Sequence, residues 1–236
     1  MISMFFPINL ILSSIIVMQC SEENRLIRMT TIQSFNVCML GKKHKPTPSA
    51  EPNLTGICEK WKTSSCCFHN VSNEYEAQRT AHGFSYDHCN RPMSSKCTKS
   101  FLNELCFYEC SPDLGPWLVK ISGMKSRKER FYKAPLCPSD CQKWWNDCRN
   151  DYTCTPNWLV GFQWIKGRNI CKHKCRTFSK IFGNARQFCE SVWDHSWKIA
   201  KTDNNCLSFS KDSSAIEQNH RVSIETAQDI VRTIFS

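Results

Sequence analysis

The chain has 236 residues, a formal net charge of +10 and 17 cysteines. That length suffices for one domain with a real core, or two small ones. The cysteines show no C-x-x-C spacing, which excludes zinc-ribbon and thioredoxin-like sites and points to disulfides made in an oxidising compartment. In such a protein the positive charge favours an anionic ligand or a polyanionic cell surface over nucleic acid.

Residues 1–18 are apolar and are followed at once by a polar stretch, which reads as a signal peptide over 1–20 and not as a spanning helix. Loss of Cys20 leaves sixteen cysteines, enough for eight bridges. Asn53-Leu54-Thr55 and Asn70-Val71-Ser72 are glycosylation sequons, which carry meaning in a secreted chain. Residues 21–36 form a loose lead without period. Residues 37–52 are basic and proline-punctuated, which predicts irregular extended structure. Residues 74–82 look helical, and Phe84 and Tyr86 then stand at strand spacing. Over 97–110 the positions of Phe101, Leu102, Leu105 and Cys106 give one inner face of a helix. A proline-rich break at 111–116 ends it, and a charged segment over 125–132 closes on aromatics.

Residues 137–164 hold Cys137, Cys141, Cys148 and Cys154 with Trp144, Trp145, Trp158 and Trp164. A short helix is expected over 140–149, N-capped by Ser139, followed by a Trp-rich loop. Such a loop either fills a small core or lines a pocket for a flat ring. A further helix is expected over 185–197, carrying Cys189 and Trp193. Cys206 is the last cysteine, so crosslinking predicts one body over 37–207. The tail, 208–236, is polar. Ile224, Ala227, Val231 and Ile234 within it predict a short amphipathic helix that either packs on the body or frays, in preference to a membrane role. No terminal apolar run has the length that a glycolipid-anchor signal needs.

The close pairs Cys106/Cys110, Cys137/Cys141, Cys171/Cys175 and Cys66/Cys67 are poorly placed to bridge each other, so each should reach a distant partner. No G-x-S-x-G, H-E-x-x-H, P-loop or G-x-G-x-x-G occurs. His88, His173 and His195 read as structural or surface histidines. The chain reads as a binder with no metal, and not as an enzyme.

The segments CFYECSPDLGPW (106–117), RKER (127–130), PLC (135–137), WWNDCR (144–149), YTC (152–154), NW (157–158) and WDHSWK (193–198) resemble the folate receptor family. That family includes egg riboflavin-binding proteins and an egg-surface relative that binds a sperm protein. The resemblance implies an α+β globule of helices and short strands with eight disulfides and a deep ligand cleft. Its implied bridges are Cys38–Cys66, Cys58–Cys106, Cys67–Cys110, Cys89–Cys175, Cys97–Cys148, Cys137–Cys206, Cys141–Cys189 and Cys154–Cys171.

The resemblance also implies a site. Glu104 stands where folate receptors hold the pterin with an aspartate. Arg127 and Arg130 match the paired arginines, which at i,i+3 on a helix would point together. Ser196 and His195 match the serine and histidine near the end. Phe84, Tyr108, Trp158, Trp164 and Trp193 match stacking walls, beside Gly161, while Tyr86, Phe162 and Trp197 replace other aromatics. Leu159 and Val160 replace a His-Lys pair at the tail end, Ser126 replaces a tryptophan and His82 a tyrosine. The implied protein is a secreted, monomeric, non-catalytic vitamin carrier or receptor for folate or a related pterin. The alternatives are a riboflavin carrier, or a cell-surface recognition protein that uses the scaffold for a protein partner.

Overall fold

The structure is a computed structural model that describes residues 37–71, 80–81, 83–121 and 128–236. The expected signal peptide and lead, His82, Ser126, Arg127 and most of the 74–82 segment lie outside the described residues.

Strand β1 (His44–Ser49) pairs antiparallel with β2 (Ser65–Cys67), across a 3-10 turn at Gly56–Trp61. β3 (Thr80–Ala81) and β4 (Phe84–Ser85) make a short hairpin. Helix α1 (Ser95–Cys110) leads through a 3-10 turn (Pro112–Trp117) to the hairpin of β5 (Leu118–Lys120) and β6 (Glu129–Phe131). β7 (Ala134–Leu136) runs into α2 (Pro138–Cys148), and β8 (Tyr152–Thr153) into the hairpin of β9 (Phe162–Ile165) and β10 (Arg168–Cys171). β11 (Arg176–Thr177) pairs back with β8 and is followed by α3 (Phe178–Phe182) and α4 (Ala185–Ser191). β12 (Trp197–Ile199) lies parallel to β7, and α5 (Ser213–Phe235) ends the fold.

Helix α1 is the axis. Ser94 caps it by accepting the Cys97 N–H at 3.3 Å, and the buried set Phe101, Leu102, Leu105 and Cys106 recurs at helical spacing. Phe101 stacks on Trp158 at 4.6 Å and meets Trp144 edge-on at 5.0 Å. Aromatic pairs of this kind add to area burial by about 0.5–1.5 kcal/mol each. The eight bridges tie the short elements to this axis. Cys58–Cys106 and Cys67–Cys110 hold the first sheet region on α1, Cys97–Cys148 holds α2, and Cys141–Cys189 joins α2 to α4. Cys89–Cys175 and Cys154–Cys171 fix both ends of the loop after β10, and Cys38–Cys66 and Cys137–Cys206 close the remaining segments. These are the pairs that the resemblance implies.

Several local expectations are corrected. Residues 37–52 contain a strand, β1, despite Pro46 and Pro48. The Pro46 carbonyl takes the Cys38 N–H at 3.2 Å instead of facing β2, a placement that an edge strand tolerates. Thr80 and Ala81 are strand, not helix. Cys137, with Pro138 behind it, stands at the N-cap of α2, while Ser139 instead donates its hydroxyl to Asp203 at 2.7 Å. The expected helix to Trp197 stops at Ser191, because Asp194 and His195 take positive φ of 51° and 61°. Arg130 lies in a strand, β6, and not on the expected helix.

The tail helix is 23 residues long, not short. It packs on the body through Asn219, Val222, Ser223 and Ala227, while Ile234 is 48% exposed. The Asn219 carboxamide accepts the Ser208 N–H at 2.7 Å and donates to its carbonyl at 3.0 Å. Among the described residues no helix is long and apolar enough to cross a membrane.

Candidate functional site

The site is built where α1 faces the turn between α4 and β12. Glu104, buried, points from α1 at two indoles. The Trp193 N–H donates to its Oε2 at 3.1 Å and the Trp197 N–H to its Oε1 at 3.0 Å. Each carboxylate oxygen can accept at two positions, so the group is suited to hold more than one N–H donor. Tyr108 stands one helical turn beyond Glu104 on the same face, half-buried, as is Trp193. The Tyr108 hydroxyl donates to the Met39 sulfur at 3.2 Å and its ring leans on Phe131 at 5.4 Å.

The Trp193–Ser196 turn is held from β6. Arg130 Nη1 donates to the Trp193 carbonyl at 3.2 Å and Nη2 to the Asp194 carbonyl at 2.9 Å, with the Asp194 carboxylate 3.3 Å away. The guanidinium therefore fastens the turn that carries Trp193. Ser196 is buried and donates its hydroxyl to the Trp193 carbonyl at 2.8 Å. His195 is exposed. Asp194 also accepts the Asn157 carboxamide at 2.8 Å, which links this turn to the loop before β9.

The other expected walls form one cluster. Phe84 stacks on Trp158 at 5.3 Å and meets Phe162 and Trp193 edge-on at 5.4 and 5.6 Å. Tyr86 sits 5.6 Å from Phe101. Phe84, Tyr86, Trp158 and Phe162 are buried, whereas Trp164 is 49% exposed at the β9 edge. Trp197, expected as a wall, is fully buried between Phe131 and Phe209 and reaches the site through its N–H. Leu159 is half-buried beside the exposed Val160. Gly161 has no room for a side chain: a Cβ there would collide with the Thr155 side chain and the Asn157 carbonyl.

Sequence reasoning missed the polar joints beneath these rings. The His88 ring faces the Ser85 carbonyl through Nδ1 at 3.2 Å and Thr153 Oγ1 through Nε2 at 3.0 Å, and Thr153 also accepts the Trp158 N–H at 3.0 Å. This network assigns the Nδ1–H tautomer, with Thr153 donating to Nε2. Burial pushes His88 down to about 4, so the ring is neutral. Asn169 donates to the Ser85 carbonyl at 3.0 Å and accepts the Ser85 N–H at 2.7 Å. Its side chain thus imitates a strand partner and docks β10 on β4. The Tyr86 hydroxyl is buried with no hydrogen-bond partner among the described residues. Burial, then the nearby Glu104 and Glu109 carboxylates, push its pKa well above that of free tyrosine, so the phenol stays protonated. None of these roles is visible in residue spacing, because each depends on pairing between distant segments.

Among the described residues, groups that could gather round a metal ion are Cys89, Cys171 and Cys175, and Cys137, Asp203 and Cys206. Their sulfurs are all in disulfides and offer no thiolate. A separate open groove of about 500 Å³ lies between Gly56–Ile57 and α1, walled by Thr98, Lys99 and Leu102 and away from the aromatic cluster.

A sequence profile of the Folate receptor family matches residues 37–208. The chain belongs to the folate receptor family. It is 37% identical over 219 residues to folate receptor gamma of Homo sapiens, across 90% of this chain and 88% of that one. Identity to folate receptor alpha of Bos taurus is 40% over 169 residues, or 70% and 69% of the two chains. The riboflavin-binding protein of Dromaius novaehollandiae is 32% identical over 191 residues, covering 79% and 76%. The bridged, mixed helix-and-strand body described above is the folate receptor domain.

Proposed function

We propose that this protein is an exported, non-catalytic vitamin-binding carrier or receptor whose ligand is folate or a related pterin. The observation that carries the reading is the buried Glu104 carboxylate, held by two indole N–H groups beside the half-buried rings of Tyr108 and Trp193. A flat heterocycle stacked on those rings would present its amino and ring N–H groups to the Glu104 carboxylate. In this reading Arg130 and Ser196 position Trp193, and Arg127 supplies a donor to the ring carbonyl. Phe84, Tyr86, Trp158, Gly161 and Phe162 support the wall, and Trp164 and His195 stand at its rim. Export through residues 1–20 and glycans on Asn53 and Asn70, both exposed, complete the proposal.

One observation favours a second reading. Val160 is 67% exposed and apolar, with Leu159 beside it, where the resemblance expects a polar pair for the folate tail. A flavin needs no such contacts, and a riboflavin-binding protein is among the relatives.

The test is tryptophan fluorescence of the purified protein titrated with folic acid and then riboflavin. Saturable quenching by folic acid that is lost in Arg127→Ala supports the pterin reading. Quenching by riboflavin alone replaces it with the carrier reading. Flat titrations of correctly folded protein refute both and leave a scaffold for protein recognition. The Leu159→His, Val160→Lys double variant should tighten folic acid and leave pterin-only compounds unchanged.

A further inference from the structure

Between Tyr152 and Cys189 the chain carries seven lysines and arginines and no aspartate or glutamate. All seven are exposed. Arg186 is paired with Glu190 at 3.0 Å. Lys166, Arg168, Lys172, Lys174 and Arg176 form no ion pair among the described residues.

The fold sets these five on a ridge. Lys166 and Gly167, with φ of 49° and 77°, make the two-residue tip of the β9–β10 hairpin, a geometry that suits strand twist. From there β10 runs to Cys171. At ~3.3 Å per residue, Arg168 and Lys172 are about 13 Å apart along it. The loop that follows is pinched at its base, where the Cys171 and Cys175 sulfurs touch at 3.7 Å, each bridged to a different segment. Lys172, His173 and Lys174 are thereby turned outward together, and all three are exposed.

The carboxylates nearest in sequence are engaged elsewhere. Asp147 binds Lys143 and Ser100, Asp151 binds Ser94, Glu190 binds Arg186 and the Ile199 N–H, and Asp194 binds Arg130 and Asn157. Those four carboxylates are thereby committed away from the five ridge cations.

We infer that residues 166–176 are a docking ridge for a linear sulfated polysaccharide of the glycosaminoglycan class. The cations are strung out along a strand and a loop and do not converge on a cradle, which fits an extended polyanion better than a small anion. Each contact along such a polymer releases condensed counterions, so binding is strong at low salt and falls steeply as salt rises. On the outer hairpin face the apolar contribution is limited to Ile165 and Ile170, at 46% and 42% exposure. That is too little to anchor the ridge in a bilayer, so an anionic membrane is the poorer fit.

The experiment is heparin affinity of the full secreted protein, read as the sodium chloride concentration of elution and as affinity at fixed salt. Lys172→Glu/Lys174→Glu is compared with Lys201→Glu/Lys211→Glu, which removes equal charge from exposed positions off the ridge. Circular dichroism confirms that both variants fold. The ridge variant should elute earlier and lose about tenfold or more in affinity, with a shallower salt slope, while the control stays near wild type. Equal losses in the two variants would reduce the effect to net charge and overturn the inference. No retention of the wild-type protein would overturn it too. Binding to phosphatidylserine vesicles that exceeds heparin binding and disappears in Ile165→Ser/Ile170→Ser would replace the polysaccharide with a membrane.

Discussion

Trp193 donates its indole N–H to Glu104 at 3.1 Å, so the turn before β12 is tied to α1 by a part-buried, charge-assisted bond. Hydrogen bonds to charged groups contribute about 1.5–3 kcal/mol each, and the orphaned partner adds its own desolvation cost. Glu104→Gln keeps one acceptor oxygen but turns an NH2 group toward an indole donor. The variant should lose about 2 kcal/mol of unfolding free energy in urea denaturation, together with its folic acid response. An unchanged denaturation midpoint would mean that the carboxylate does not hold the two tryptophans.

His88 gives stability a pH signature. Its folded value of about 4 lies below the ordinary 6.5, so the unfolded chain takes up a proton that the folded chain refuses. The contribution is complete above pH 6.5 and is lost as pH falls from there toward about 4, by at most ~3 kcal/mol. Asp113 and Asp140 are raised by burial and act in the opposite sense at lower pH. The difference between wild type and His88→Gln isolates the histidine. Melting temperatures measured from pH 7 to pH 4.5 should converge as the wild type loses its advantage, and parallel curves would contradict the assignment.

Tyr86→Phe removes a buried hydroxyl that has no partner among the described residues. Unsatisfied buried donors cost about 1–3 kcal/mol, so the ligand-free variant should match or exceed the wild type by about 1 kcal/mol. If ligand satisfies the phenol, the same variant binds folic acid more weakly. A clear loss of stability without ligand would show that the hydroxyl is already bonded.

Gly161→Ala places a methyl group against the Thr155 side chain, 2.7 Å from its Cβ, and against the Asn157 carbonyl. Overpacking of this kind typically costs about 1–3 kcal/mol. The NW loop must shift, and with it the Asn157–Asp194 bond at 2.8 Å. A lower melting temperature and weaker ligand quenching are expected together. Loss of neither would mean that the loop yields freely.

Much of the scaffold is legible in the sequence. The inner face of α1 follows from residue spacing alone, and disulfide crosslinking marks out the body. The pairing of sixteen cysteines comes through family likeness, since spacing leaves the partners open. What stayed hidden depends on long-range context. Two prolines disguise β1 because an edge strand accepts them. Left-handed backbone at Asp194 and His195 cuts α4 short inside an unbroken helical pattern. The tail helix docks through Asn219 and Ser223, polar residues that an apolar rhythm passes over. At the candidate site, Glu104 and Arg130 are singled out by family likeness alone, and Arg130's carbonyl partners on the Trp193 turn appear only when β6 and that turn meet in space.

The order of the bridges bears on biosynthesis. Three of them, Cys38–Cys66, Cys58–Cys106 and Cys67–Cys110, can close once residue 110 has left the ribosome. Cys89 and Cys97 emerge within that same stretch, yet their partners are Cys175 and Cys148. At ~5–20 residues per second, Cys89 waits roughly 3–13 s beyond the emergence of residue 110 before its partner is made. Throughout that interval a reactive thiol shares the nascent segment with six cysteines destined for each other. Mispairing is open to the chain during that interval, and disulfide exchange is the chemistry that would correct it.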